Sequence, residues 1–165
     1  MSVAVGVRLG PLLTEHREPL GSVVRATNVF AEEEVAVALE LFDDAAGGGT
    51  DYEFIGAFEG DQLIGYACFG ATPSTDNTFD LYWIAVHPSA QRTGAGGTLM
   101  EEVERRLAHR RARLLVVETS SREDYAPTRR FYEKRGYELA AQVRDFYNRG
   151  DDLVVLTKHL IAALS

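Results

Sequence analysis

The stretch Gln91-Arg92-Thr93-Gly94-Ala95-Gly96-Gly97 lies between an apolar run, Leu81–Val86, and an amphipathic one that begins near Leu99. It reads as the turn from a strand into a helix. Such a turn can do chemistry with an anion. The first N–H groups of a helix have no intrahelical partner, the helix dipole adds positive potential there, and glycine lets the backbone come close to a ligand oxygen. Two common phosphate motifs do not fit. A P-loop places lysine and then serine or threonine after its last glycine, where this chain has Gly97-Thr98-Leu99, and a dinucleotide fingerprint starting at Gly94 needs glycine at position 99. An ordinary helix start with spare glycines is the bland alternative. A second chemical candidate is Glu118, a carboxylate at the end of the apolar run Leu114-Leu115-Val116-Val117, and Asp80, entering the neighbouring strand, is a third. Carboxylates there serve as acid or base when poised, and are otherwise simply solvated or salt-bridged.

These residues need a scaffold. Leu81-Tyr82-Trp83-Ile84-Ala85-Val86 suits a strand buried on both faces, and His87-Pro88 ends it because proline cannot donate to a ladder. In the helix that follows, Leu99, Met100, Val103 and Leu107 share one face, while the pairs Glu101–Arg105 and Glu102–Arg106 occupy the other at i,i+4. Upstream, Val3–Leu9 reads as a weak first strand and residues 15–29 and 32–46 as helices. The second helix has an acidic start at Glu32-Glu33-Glu34, a poor cap in Ala31, and an apolar face of Val35, Ala38, Leu39 and Phe42. Gly47-Gly48-Gly49 is a flexible break rather than a domain boundary. Tyr52–Phe58 and Gln62–Ala71 form a hairpin around Glu59-Gly60-Asp61. After the loop Thr72–Asn77 and the central strand and helix come a buried strand, Leu114–Thr119, a loop, Ser120–Ala126, and a helix, Pro127–Arg135. Tyr137–Tyr147 and Leu153–His159 make a last hairpin around residues 148–152.

Two segments carry a family resemblance. Gln91-Arg92-Thr93-Gly94-Ala95-Gly96, directly after Ile84-Ala85-Val86 and His87-Pro88, resembles the acetyl-CoA signature of the GNAT acyltransferase superfamily. Arg129-Arg130-Phe131-Tyr132-Glu133-Lys134-Arg135-Gly136-Tyr137 resembles the segment in which that family's last helix ends on glycine and a strand begins. Local chemistry agrees: Pro127 suits a first helical turn, Lys134 and Arg135 sit near the negative end, and Gly136 can take a left-handed cap. The resemblance is specific over residues 80–147. It implies one α/β domain over residues 1–165, a mixed sheet of about seven strands flanked by four helices. It further implies that the amides of Gln91, Arg92, Thr93, Gly94, Ala95, Gly96 and Gly97 hold the pyrophosphate of acetyl-CoA, and that Ile84, Ala85 and Val86 pair with the pantetheine arm. One departure stands out. The family's asparagine before the tyrosine helix is missing between Glu118 and Tyr132, where Thr119, Ser120, Ser121, Tyr125 and Thr128 offer hydroxyls instead.

Acyl transfer to an amine needs a neutral amine, although a lysine-like amine has a pKa near ~10.4, so a base or proton wire is required. The leaving thiolate gains from a proton. By resemblance Tyr132 is the general acid near the thioester sulfur and Glu118 is the base; Asp80, by its position at the entry of the neighbouring strand, is the reserve carboxylate. Packing of Tyr132 as a core aromatic is the alternative for that residue. Residues 144–152 resemble the acceptor hairpin of GNAT enzymes that acetylate protein N-termini, with Phe146 in place of a tyrosine. That implies Tyr147, Phe146 and Asp145 as acceptor-binding groups, against the plainer alternative that they cover a sheet edge. The function implied is direct N-acetyl transfer from acetyl-CoA to a primary amine of a small molecule or a peptide end. The competing class is a non-catalytic acyl-CoA-binding module with the same fold.

Composition narrows the partners. A net charge of −8 and a pI near 5.0 argue against nucleic acid, since no basic stripe appears outside local arginine clusters. The arginines from Arg105 to Arg113 read as a solvated helix end. The single Cys68 excludes an internal disulfide framework and reads as a small core residue. His16, His87, His109 and His159 lack ligand spacing, so no metal is expected. No run reaches membrane length and Met1–Leu9 lacks a signal-peptide pattern, so a cytoplasmic protein without a membrane partner is expected, a homodimer being allowed.

Overall fold

The computed structural model describes residues 6–160. They form β1 (Arg8–Gly10), α1 (Arg17–Ala26), α2 (Glu32–Ala46), β2 (Glu53–Glu59), β3 (Gln62–Ala71), β4 (Thr78–Val86), α3 (Ala95–His109), β5 (Leu114–Ser120), α4 (Ala126–Glu133), β6 (Glu138–Asn148) and β7 (Asp151–His159). The seven strands pair in the order β1-β2-β3-β4-β5-β7-β6; β4 with β5 is parallel, whereas β1 with β2, β2 with β3, β5 with β7 and β6 with β7 are antiparallel. The expected mixed α/β architecture is therefore present. Of the expected first strand, Val3, Ala4 and Val5 lie outside the described residues, and the strand found begins at Arg8.

The chain divides into two compact units, one comprising the residues through Gly70 with Trp83–Arg106, the other Ala71–Tyr82 with Leu107 onward. In the first, β1, β2 and β3 are antiparallel neighbours, and the β2–β3 hairpin turns at Gly60, whose φ of +58° is left-handed. Leu20, Val23 and Val24 of α1, Val35, Ala38 and Phe42 of α2, and Ile55, Ala57, Tyr66, Ala67 and Cys68 of the hairpin are buried. Phe42 meets Phe54 edge-on at 5.6 Å, so α2 reaches the sheet through the face its periodicity marks. Leu39 of that face is only half-buried. The weak cap at Ala31 is offset by Glu34, whose Oε1 accepts the Ala31 N–H at 3.1 Å. Arg17 grips Asp43 with two hydrogen bonds of 2.8 and 2.9 Å, linking α1 to α2.

Along α3, Ala95, Leu99, Met100, Val103 and Leu107 are fully buried, as the spacing requires. The charged face differs from expectation. Arg105 pairs with Glu102 rather than with Glu101, and Arg106 pairs with Glu102 as well, at 2.6 and 3.1 Å. A carboxylate one turn back is reachable at i−3 and at i−4, so one glutamate serves both arginines. Hydrogen bonding from Arg105 is the largest cause that holds the Glu102 carboxyl down at about 2.

In the second unit, β4 and β5 are in register from Thr78 against Leu114 to Leu81 against Val117. β5 and β7 pair over seven positions, Leu114 with His159 to Ser120 with Leu153. The end of α3 is fastened here: Asn77 Nδ2 donates to the carbonyls of Arg110 and Arg111 at 2.9 and 2.7 Å. Those are carbonyls that the helix itself cannot satisfy. The expectation that Leu81–Val86 is buried on both faces is corrected. Leu81 and Ala85 are buried, whereas Tyr82, Trp83, Ile84 and Val86 keep partial exposure.

Candidate active site

The glycine turn is built from β4 outward. Gly65 of β3 lies so close beneath the strand end that a Cβ there would meet the Ala85 carbonyl at 2.9 Å. The ladder then closes with the His87 N–H on the Ile64 carbonyl at 2.7 Å. His87 Nδ1 accepts the Ser89 N–H at 3.1 Å, so this histidine caps a short 3-10 turn, Pro88–Thr93. Gly94 follows at φ +79°, a left-handed conformation that aims the chain into α3. Thr93 and Thr98 lock the bend: Thr93 Oγ1 donates to the Ala90 carbonyl at 2.6 Å, and the Thr98 amide and hydroxyl both donate to the Gly94 carbonyl, at 3.0 and 3.1 Å.

With that carbonyl taken by Thr98, the N–H groups of Gly96 and Gly97 take no carbonyl upstream of α3 among the described residues. They open a fifteen-residue helix, and Gln91, Arg92, Thr93 and Gly94 beside them are exposed. Free amides, a helix dipole and no side chain on two successive residues suit a pyrophosphate. Ile84, Ala85 and Val86 are the last three residues of the strand that leads into this turn.

In the second unit, α4 begins with Pro127 in its first turn and ends at Glu133, short of the expected Arg135; a turn then leads to Gly136, which takes the expected left-handed φ, +89°. The Tyr137 N–H returns to the Tyr132 carbonyl at 3.1 Å. Arg135 lies over the Phe131 ring at 3.9 Å and donates to the Phe131 carbonyl, adding to the closure of the helix. Tyr132 is buried, with its ring edge-on to Phe131 at 5.4 Å and to Tyr137 at 5.6 Å. Burial pushes its phenol above the ordinary tyrosine range, so it carries its proton at neutral pH and can donate it.

Asp80 is in register with Val116, so Glu118, two residues further along β5, projects from the same face of the sheet. The structure thus brings the two carboxylates onto one face of neighbouring strands. Asp80 is half-buried and accepts from Thr72 Oγ1 at 2.7 Å, whereas Glu118 is exposed opposite Val155.

The β6–β7 hairpin, expected by resemblance to line the acceptor, departs from a regular ladder. Val143 pairs with Leu153 and Asn148 with Asp151, so Arg144, Asp145, Phe146 and Tyr147 stand opposite Asp152 alone. Phe146 and Tyr147 are about half exposed, their rings edge-on at 5.0 Å. Asp145 takes φ +56°, its carboxylate accepts the Gly150 N–H at 2.8 Å, and its own N–H donates to Asp152 Oδ1 at 3.0 Å. Its side chain therefore builds the turn.

Of the hydroxyls standing where the family has asparagine, Ser120 Oγ donates to the Asp151 carboxylate and Ser121 Oγ accepts the Asp152 N–H at 2.8 Å. Both are committed within the protein. Asp151 is the residue that sequence reading passed over: it is buried, and Asp151-Asp152 read only as turn chemistry. A polar pair where β7 is about to turn apolar was the available signal. Cys68 is fully buried and its thiol is pushed up by that burial, as suits a core residue. Among the described residues no three His, Cys, Asp or Glu side chains are grouped to hold a metal ion, and no helix is long and apolar enough to cross a membrane.

The model described as Acetyltransferase (GNAT) family matches residues 19–137. A crystal structure from Desulfovibrio desulfuricans, assigned to the GNAT family of acetyltransferases, is 40% identical with a TM-score of 0.91, covering 94% of this chain and 100% of that one. The ribosomal-protein-S18-alanine N-acetyltransferase of Escherichia coli shares the fold at 20% identity, TM-score 0.76, over 95% of this chain and 96% of that one. An N-acetyltransferase from Thermoplasma acidophilum, solved in complex with coenzyme A, does so at 20% identity, TM-score 0.72, over 96% and 99%. No curated protein sequence matches. The family match over residues 19–137 and the 40% identity to the Desulfovibrio structure over 94% of this chain show that the protein belongs to the acetyltransferase (GNAT) family.

Proposed function

We propose that residues 1–165 work as one acetyltransferase domain that moves acetyl from acetyl-CoA directly to a primary amine of a small molecule or a peptide end. The observation that carries this reading is the pair of free amides at Gly96 and Gly97, at the N-terminus of α3. They suit the pyrophosphate of coenzyme A, with Gln91, Arg92, Thr93, Gly94 and Ala95 completing the turn and Ile84, Ala85 and Val86 offering strand backbone to the pantetheine arm. Acetyl-CoA supplies the activated acetyl group as a thioester.

The chain's own residues do the rest. The acceptor amine must lose a proton to attack the thioester carbonyl, and Glu118 takes it, directly or through water, with Asp80 on the same face in reserve. As the new C–N bond forms, the C–S bond breaks, and the Tyr132 phenol, kept protonated by burial, gives its proton to the leaving sulfur. Tyr147 and Phe146 contact the acceptor's body, with Asp145 shaping the loop that presents them.

The test follows thiol release from acetyl-CoA with three acceptors: a peptide with free N-terminal alanine, an N-blocked peptide containing lysine, and a small diamine. Release above the hydrolysis background with at least one acceptor is expected. Acetyl-CoA binding with no release for any of them would favour the acyl-CoA-binding module instead.

A further inference from the structure

The irregular end of the β6–β7 hairpin is tied to the exit of β5 by two serines. Ser120 Oγ donates to the Asp151 carboxylate and accepts the Arg122 N–H at 3.0 Å, and both Ser120 and Asp151 are buried. One residue on, Ser121 Oγ accepts the Asp152 N–H at 2.8 Å while the Ser121 N–H donates to the Asp152 carbonyl at 3.0 Å. Asp152 carries the tie outward. Its Oδ1 accepts the Asp145 N–H at 3.0 Å and its Oδ2 accepts from Gln142 Nε2 at 2.7 Å. Asp145 closes the loop on the Gly150 N–H. From the other side, Arg129 of α4 donates to the carbonyls of Ser120 and Arg122 at 2.7 and 2.8 Å. Arg129 stands three residues before Tyr132, and Ser120 two residues after Glu118.

A plain hairpin end needs no buried carboxylate. Removing Asp151 and Ser120 from water has a cost that an apolar pair would avoid, and such polar pairs are kept where they specify one geometry. Here the geometry to be specified is unusual, because Arg144–Tyr147 of β6 bulge opposite Asp152 alone, and the Asp152 side chain takes the Asp145 N–H. We propose that Asp151 is a positioning residue: through Ser120, and with Asp152 beside it, it ties the bulge of β6 that carries Phe146 and Tyr147 to the end of β5, across β7, in one orientation relative to Glu118. This rests on the reading of that bulge as the acceptor side of an acetyltransferase site. A loop held in advance needs no ordering when the acceptor binds.

The test uses the full chain, acetyl-CoA and a peptide with free N-terminal alanine. Asp151→Ala and Ser120→Ala raise the peptide KM by about tenfold or more, while the acetyl-CoA Kd by calorimetry stays within about twofold. Asp151→Asn keeps an oxygen for the Ser120 hydroxyl and behaves as wild type. Loss of kcat in Asp151→Asn with a changed pH profile would make Asp151 a proton acceptor and overturn a positioning role. So would an unchanged peptide KM in both alanine variants, or an acetyl-CoA Kd that worsens in step with it. A readout free of the acceptor is hydrogen exchange at the amides of Asp145, Gly150 and Asp152. It speeds up about tenfold in Ser120→Ala if the tie holds the loop, and no change overturns the proposal whatever the activity. A wild type that neither binds acetyl-CoA nor acetylates an amine would refute the functional reading and leave hydrogen exchange to decide the tie.

Discussion

Asp80 and Glu118 project from the same face of two parallel neighbouring strands, because Asp80 is in register with Val116 and Glu118 lies two residues beyond it. The Asp80 carboxylate is engaged by Thr72, and Glu118 stands exposed. On the proposed function, that contrast favours Glu118 over Asp80 as the base. Glu118→Gln should abolish the acidic limb of the rate profile and lower kcat by ~10²-fold, whereas Asp80→Asn should leave the limb in place. A pH–rate profile of each variant checks this. An unchanged limb in Glu118→Gln would hand the role to Asp80 or to water.

Tyr132 is buried and keeps its proton beyond the ordinary phenol range. The sign cuts both ways: a raised pKa keeps the phenol protonated throughout neutral and mildly alkaline pH and also makes it a weaker acid, so the proton moves only as charge builds on the leaving sulfur. Tyr132→Phe keeps the ring contacts with Phe131 and Tyr137 and removes only the hydroxyl. It should lower kcat by ~10²-fold with little change in the acetyl-CoA KM, as when a proton donor used only in the transition state is lost. Steady-state kinetics with varied acetyl-CoA measures it, and a rise in KM alone would make Tyr132 a binding residue.

Tyr147 and Phe146 lie about half exposed, edge to face, on the bulged part of β6. Tyr147→Ala should raise the acceptor KM several-fold more than the acetyl-CoA KM. Equal effects on both, or none, would place this loop outside the acceptor site and leave acceptor choice to α1 and α2.

Glu102 joins Arg105 and Arg106 on α3, and its carboxyl is held down at about 2 from an ordinary value of 4.5. A depressed carboxyl contributes stability above its unfolded pKa and loses it as pH falls through its folded one, here between about 4.5 and 2. Because both arginines are well exposed, the contribution is only about 1 kcal/mol at neutral pH. Denaturant melts of Glu102→Gln and wild type should differ by that amount at pH 7 and converge near pH 2. A constant gap across that range would contradict the linkage.

Much of this architecture was legible in the sequence because local chemistry and tertiary fold ask for the same thing. Gly94 and Gly136 mark left-handed turns that no other residue takes as easily, and the 3.6-residue spacing of Leu99, Met100, Val103 and Leu107 states which face of α3 is buried. What was illegible depends on choices among near-equivalent neighbours. Arg105 could reach Glu101 or Glu102, and sequence spacing does not decide between i−4 and i−3. The tie from Ser120 to Asp151 spans thirty-one positions, so only the pairing of β5 with β7 brings the two together. The irregular run Arg144–Tyr147, two charged residues followed by two aromatics, carries no turn residue that would mark a bulge. Even so, the hairpin itself was readable from Asn148-Arg149-Gly150.

The central claim is that the turn at Gly94-Ala95-Gly96-Gly97 holds the pyrophosphate of acetyl-CoA, and calorimetry of Gly96→Val beside the wild type tests it most directly. A Cβ-branched side chain at the first turn of α3 stands where the phosphate oxygens would approach the free amides. The wild type should bind acetyl-CoA, and Gly96→Val should show no measurable binding while its thermal unfolding stays close to that of the wild type. A wild type that does not bind, or a Gly96→Val variant that binds with wild-type affinity, would contradict the account.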